Sequence, residues 1–225
     1  KDAKNFRIVT APVSDPSPKN WKSFVEHRKD VLLRGLEPFS KYLTIQETIA
    51  GLARLRIYTF ATGQWRDITF PEPVYSASSA GTPEFDSKQY RYSYQSFITP
   101  SSIYDFDMET GSATLLKRQE VLGGYEPQKY ASERLWATAR DGVKVPISIV
   151  YRKDLVRDRK APLLLSGYGS YGFGLSANFS SSRLVYLDRG VTYALAHIRG
   201  GNEMGEAWHD DGMLMKKKNT FFDFI

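Results

Sequence analysis

Two stretches of this chain repeat each other at a fixed offset, and that offset restricts the folds open to it more than any other feature. RIYTFATGQW at 56–65 resembles SIYDFDMETGSA at 102–113. Ile57 and Ile103, Tyr58 and Tyr104, and Phe60 and Phe106 each lie 46 positions apart. Thr62-Gly63 and Thr110-Gly111 fall where the two segments should turn back. A period of 40–50 residues with about four strands per unit predicts β-propeller blades. Chance likeness between two β-hairpins is the competing reading.

The surrounding sequence is strand-like throughout. Short β-branched and aromatic runs separated by turn residues predict strands at 6–9, 30–34, 42–49, 52–60, 65–70, 74–79, 90–97, 102–107 and 114–117. Residues 21–27 read as a short helix. The aromatic share of 14% supplies large side chains for strand faces to bury. Two blades cannot close a ring that typically needs four to eight, and a pair alone would leave faces and edges bare. Residues 1–130 are therefore expected to be the C-terminal portion of a larger propeller domain that begins upstream of Lys1.

The pattern changes at 131–225. Strand-like runs at 132–139 and 145–151 flank Arg140-Asp141-Gly142 and predict a hairpin, followed by a charged turn at 152–160. An apolar strand at 162–166, a Gly-rich loop, a helix at 180–188 stopped by Gly190, and an apolar strand at 191–198 come next. Strand–helix–strand order predicts an α/β domain with a partly parallel sheet. Residues 220–225 read as the first turns of a further helix. The expected fold class is all-β followed by α/β.

Composition removes several chemistries. With no cysteine there is no disulfide scaffold, zinc ribbon, iron–sulfur cluster or Cys nucleophile. The three histidines, His27, His197 and His209, are too scattered for a His-rich metal site. No apolar run approaches a membrane span, and KDAKNFRIVT lacks the apolar region of a signal peptide. No cofactor and no membrane are expected, and a cytoplasmic setting fits. A net charge of +6 is mild, and its densest run, Lys216-Lys217-Lys218, reads as the solvated side of a helix start, so nucleic acid is not expected.

The Gly-rich loop contains a decoy. Gly167, Gly169 and Gly172 match the dinucleotide fingerprint G-x-G-x-x-G. Yet Asp188, at the spacing of the ribose-binding acid, falls at a helix end, and the glycines run on to Gly174 before helical residues begin. The better reading is a loop at the C-terminal end of a strand, where open α/β folds keep their active-site residues. A phenol there can donate to a developing oxyanion. In AHIRGGNEMGEAW at 196–208, Arg199, Glu203 and Glu206 read as a salt-bridged loop holding the sheet top rather than as substrate contacts. His197 reads as a core histidine and His209 as a surface one. The nucleophile elbow G-x-S-x-G is absent: Ser176 lacks its last glycine, and Ser166 and Ser170 fail the pattern.

Five collinear stretches resemble the prolyl oligopeptidase family of serine peptidases: RDGVKVPISIVYRK (140–153), PLLLSGYGSYG (162–172), FSSSRLVYLDRG (179–190), HIRGGNEMGEAWHDDG (197–212) and KKKNTFFDF (216–224). PEPVYS (71–76), ITPSSIYDFDMETG (98–111) and LLKRQEVLGGY (115–125) look most like its oligopeptidase B branch. The resemblance implies a seven-bladed propeller capping an α/β-hydrolase domain, so that peptides rather than folded proteins are cut. Cleavage would follow Lys or Arg in this branch, and Pro in the sister branch. Tyr168 matches the family's oxyanion tyrosine, and Tyr171 a position lining the pocket for the residue before the cut. The catalytic Ser, Asp and His are expected beyond Ile225, making this stretch alone inactive. The implied partner is an oligopeptide. Prolyl oligopeptidase, acylaminoacyl peptidase and a non-catalytic propeller-linked module are the rival readings, and oligomeric state leaves no trace.

Overall fold

The computed structural model describes residues 2–156, 158 and 160–225. Arg157 and Arg159, in the expected charged turn, lie outside the described residues. The chain begins with a short antiparallel pair, β1 (Ile8–Thr10) and β2 (Lys22–Val25). The expected helix at 21–27 is thus a strand, preceded by one 3-10 turn at Pro18–Asn20. Trp21 and Phe24 have helical spacing, but pairing with β1 and packing of Phe24 decide the outcome. Its ring meets Tyr58 edge-on at 5.0 Å and Trp65 at 6.3 Å.

Two four-stranded antiparallel meanders follow. The first comprises β3 (Val31–Pro38), β4 (Tyr42–Ile49), β5 (Leu52–Thr59) and β6 (Gln64–Asp67). The second comprises β7 (Tyr75–Ser79), β8 (Gln89–Ser96), β9 (Ser102–Asp107) and β10 (Ala113–Arg118). Each sheet has the strand order of a propeller blade. The two repeat segments occupy the same place in each, the third strand and its turn. Gly63 N–H donates to Thr59 O and Gly111 N–H to Asp107 O, with both glycines at positive φ, a conformation that costs a Cβ-bearing residue 1–2 kcal/mol by general estimate.

The repeat also explains which face each residue takes. Side chains alternate across a strand. Leu55 and Ile57 of β5 face the second sheet, whereas Phe106 of β9 faces the first; all three are buried in one core with Tyr90, Tyr92 and Tyr94 of β8. Tyr104 joins that core by stacking on Tyr92 at 5.3 Å. Phe60, the counterpart of Phe106, lies on the opposite face of its own sheet, beside Tyr58 and 50% exposed. Equivalent positions therefore keep equivalent faces, and the core arises where one sheet's odd face meets the next sheet's even face.

The third sheet is mixed. A hairpin of β11 (Tyr130–Thr138) and β12 (Lys144–Arg152) pairs antiparallel with β14 (Thr192–Ala196), which pairs parallel with β13 (Leu163–Ser166). Between β13 and β14 runs α1 (Ser181–Leu187), whose Leu187 and Leu184 pack in a core with Val150 and Leu195. Val74, just before the second meander, and Phe97, in its β8–β9 turn, enter the same core, and Phe97 meets Tyr193 edge-on at 5.5 Å. The second and third sheets thus share buried surface. Two short helices, α2 (Glu206–Asp210) and α3 (Lys218–Phe224), complete the chain. No helix among the described residues is long and apolar enough to cross a membrane.

Candidate active site

β13 and β14 are parallel, so the segments after them leave the same end of the sheet: 167–178 after β13 and 197–205 after β14. Open α/β sheets place ligands at this end. The two segments are stitched together by backbone. Gly172 N–H donates to Gly200 O at 2.9 Å. Gly169 has φ +61, and a Cβ there would sit 2.5 Å from Thr220 Cγ2 and 2.7 Å from the Arg199 carbonyl, so only glycine permits this approach.

Tyr168 stands at the head of the first loop, 48% exposed, with its ring edge-on to Phe173 at 6.3 Å. Tyr171, on the same loop, has φ +57 and is 88% exposed. It borders an open cavity of about 370 Å³ with Ser170, His209, Met213, Leu214 and Lys217, which Tyr168 does not line. The structure thus brings the two tyrosines onto one loop, without joining them in one cavity.

The second loop holds its charges inward. The buried Arg199 guanidinium donates to Asp223 through Nε (2.9 Å) and Nη2 (2.6 Å) and to Asp141 through Nη1 (2.6 Å). Arg199 N–H also donates to Asp223, and its carbonyl accepts from Thr220 Oγ1. These partners raise the Arg199 pKa further, and Arg199 holds the Asp141 carboxyl below its usual range. Arg199 thus holds the sheet top, but through Asp223 and Asp141 rather than through Glu203 or Glu206, the acids expected beside it, because those partners lie in distant segments that the sequence does not bring together. His197 is buried, with Nε2 2.8 Å from Ser148 Oγ, and burial pushes its pKa below the ordinary value. Glu203 is buried too, its Oε1 accepting from Leu175 N–H at 3.0 Å. His209 lies on α2, where Asp210 accepts instead from Lys4 at 2.6 Å.

One residue departs from its expected place. Lys217 is not solvated with its neighbours: its Nζ donates to Gly169 O (2.5 Å) and Ser170 Oγ (2.7 Å) and ties down the tyrosine loop. A run of three lysines gives no sign of which one turns inward. The geometry also departs from the dinucleotide fingerprint. α1 starts only at Ser181, and Asp188 at its end accepts from Tyr130 Oη (2.7 Å) and Arg152 (3.3 Å). Ser176 lies in the loop with no strand leading into it, so no nucleophile elbow forms there.

Residues 1–119 match the family model for the prolyl oligopeptidase N-terminal β-propeller domain, and residues 177–225 match that of the prolyl oligopeptidase family. Tyr168 and Tyr171 fall between the two matched stretches. The chain is 48% identical to a dipeptidyl aminopeptidase BI from Pseudoxanthomonas mexicana, covering 99% of this chain and 31% of that protein. It is 35% identical to Protease 2 of Moraxella lacunata, covering 99% and 32%. A solved structure of oligopeptidase B from Trypanosoma brucei, in a closed form with covalently bound antipain, matches with TM-score 0.91 at 34% identity, covering 100% of this chain and 33% of that one. The chain spans about a third of the length of the relatives it matches.

Proposed function

The chain belongs to the prolyl oligopeptidase family, and from that premise we propose that it forms part of a serine peptidase hydrolysing short peptides, with Lys or Arg preferred before the cut. In this reading residues 1–130 are the last two blades of the propeller and 131–225 open the hydrolase domain. The phenol of Tyr168 acts with a backbone N–H beside the nucleophile to hold the oxyanion of the tetrahedral intermediate, and Tyr171 lines the pocket for the residue before the cut. The observation that carries the proposal is the position of Tyr168: a half-exposed phenol at the C-terminal end of β13, on a loop fixed by Gly169, Gly172 and Lys217. A fixed donor suits this role, because a preorganised hydrogen bond needs no reorientation as charge develops.

The test uses the longer peptidase that this reading implies. Tyr168→Phe removes one oxyanion donor, a loss of roughly 3 kcal/mol of transition-state stabilisation, or about 10²-fold in kcat/KM. A peptide with Arg before the cut is the substrate. A change under about threefold overturns the oxyanion role. The 48% identity to a dipeptidyl aminopeptidase favours a second reading, release of dipeptides from free amino termini. Peptides with free and blocked amino termini separate the two, since only the first reading tolerates the block.

A further inference from the structure

The far end of the Tyr168 loop is held by a buried side chain, Glu203, through its acceptance from Leu175 N–H. Room for that carboxylate is made by two glycines. A Cβ on Gly174 would lie 3.0 Å from Glu203 Cγ, and one on Gly201 would overlap the carboxylate itself.

Behind Glu203 lies a row of polar side chains, hydrogen-bonded to one another at every step but the first. Glu203 Oε1 lies 3.7 Å from His197 Nδ1, an electrostatic contact longer than a hydrogen bond, and Nδ1 has no hydrogen-bond partner among the described residues. His197 Nε2 lies 2.8 Å from Ser148 Oγ. Ser148 Oγ accepts from Arg134 Nη1 at 2.7 Å, and Arg134 Nη2 donates to the carbonyl of Ala50 at 2.6 Å. The direction of the chain follows from the groups. Guanidinium only donates, so Ser148 receives its N–H and gives its own proton to His197 Nε2, its other partner among the described residues. Burial keeps His197 neutral, so the ring proton is on Nδ1, facing Glu203. Ala50 and Gly51 form the tight turn between β4 and β5, both at positive φ. Hydrogen bonds therefore run from a turn of the first meander as far as His197, and a 3.7 Å contact carries the row on to Glu203 and the loop bearing Tyr168.

We propose that Glu203 is a positioning residue for the Tyr168 hydroxyl, and that Arg134, Ser148 and His197 set its position from the β4–β5 turn. The proposal rests on the oxyanion reading of Tyr168 and deepens it: the seating of the propeller on the third sheet becomes part of what aims the donor. Misplacing a reacting group by about 1 Å can cost up to 10²-fold in rate. Loss of a single anchor at the far end of the loop corresponds to about tenfold.

The test is a double-mutant cycle in the longer peptidase on an Arg-containing peptide. Glu203→Ala lowers kcat about tenfold with KM held within about twofold. Glu203→Gln, which keeps a carbonyl acceptor for Leu175 N–H, returns kcat to within about threefold of the parent. In a Tyr168→Phe background, Glu203→Ala changes kcat by less than about twofold, because the group it aims is gone. Equal loss in both backgrounds overturns the proposal and leaves the oxyanion reading standing. No effect of Tyr168→Phe alone overturns both. Should Glu203→Ala fail to fold, Ser148→Ala carries the same test: a severalfold loss of kcat with Tyr168 present and none without it supports the chain, and equal loss refutes it.

Discussion

Removing the Arg199 guanidinium should cost more than any surface ion pair in this molecule. Arg199→Met keeps the stem and deletes the charge. Asp223 then loses its donors from Nε and Nη2 and keeps the backbone N–H of residue 199. Its side chain is fully shielded from solvent, so water cannot replace what is lost. Breaking a buried pair by removing one partner typically costs about 3–5 kcal/mol. The half-exposed Asp141 arm adds roughly 0–1 kcal/mol. The expected loss in urea unfolding at pH 7 is therefore about 3–6 kcal/mol. Trp208, whose ring lies 6.0 Å from the guanidinium, is the fluorescent reporter. Arg199→Met combined with Asp223→Leu should recover at least about 1 kcal/mol, because no bare charge remains buried. A loss under about 1 kcal/mol for the single variant, or a double variant no more stable than the single, would refute the reasoning.

Two further outcomes follow from burial. His197 has its folded pKa lowered from 6.5 by burial, so between the folded and unfolded values the unfolded state binds the proton more readily. Its contribution is full above pH 6.5 and is lost as pH falls toward the folded value. The melting temperature should drop from pH 7 to pH 5, and His197→Gln should flatten that limb; an unchanged limb contradicts it. In the shared core, Ile57→Ala should cost about 2–5 kcal/mol in urea melts, and Phe60→Ala about 1 kcal/mol or less. The reverse order would mean the faces of β5 have been assigned wrongly.

The offset of 46 carried the architecture because propeller blades repeat chain geometry as well as composition. Ile57 and Ile103 mark the same strand position even though their surroundings differ. What stayed hidden depended on distant partners. The segment at 21–27 took its form from β1 and from the ring of Tyr58, neither of which is local. Arg199 could be read as part of a salt-bridged loop, but its main partner is Asp223, in a helix 24 residues ahead. Glu203 and Lys217 gave no local signal of their anchoring roles. The nearest thing to a clue was the crowd of glycines at 167–174 and 200–205, which marks where backbones and buried carboxylates come close. Tyr168 stood out only through family resemblance, since a tyrosine between glycines has many possible uses.

The alternation of faces has a consequence for how such a chain grows. Because the interface between the two meanders joins an odd face to an even one, the contact is head-to-tail and not self-complementary. Sheets of this kind add in one direction only, and two identical copies cannot pair by turning one over. A head-to-tail contact either extends or closes into a ring. Ring closure is the arrangement that leaves neither Phe60's side of one sheet nor Ile103's side of another without a neighbour, so every sheet's place is set by the one that precedes it.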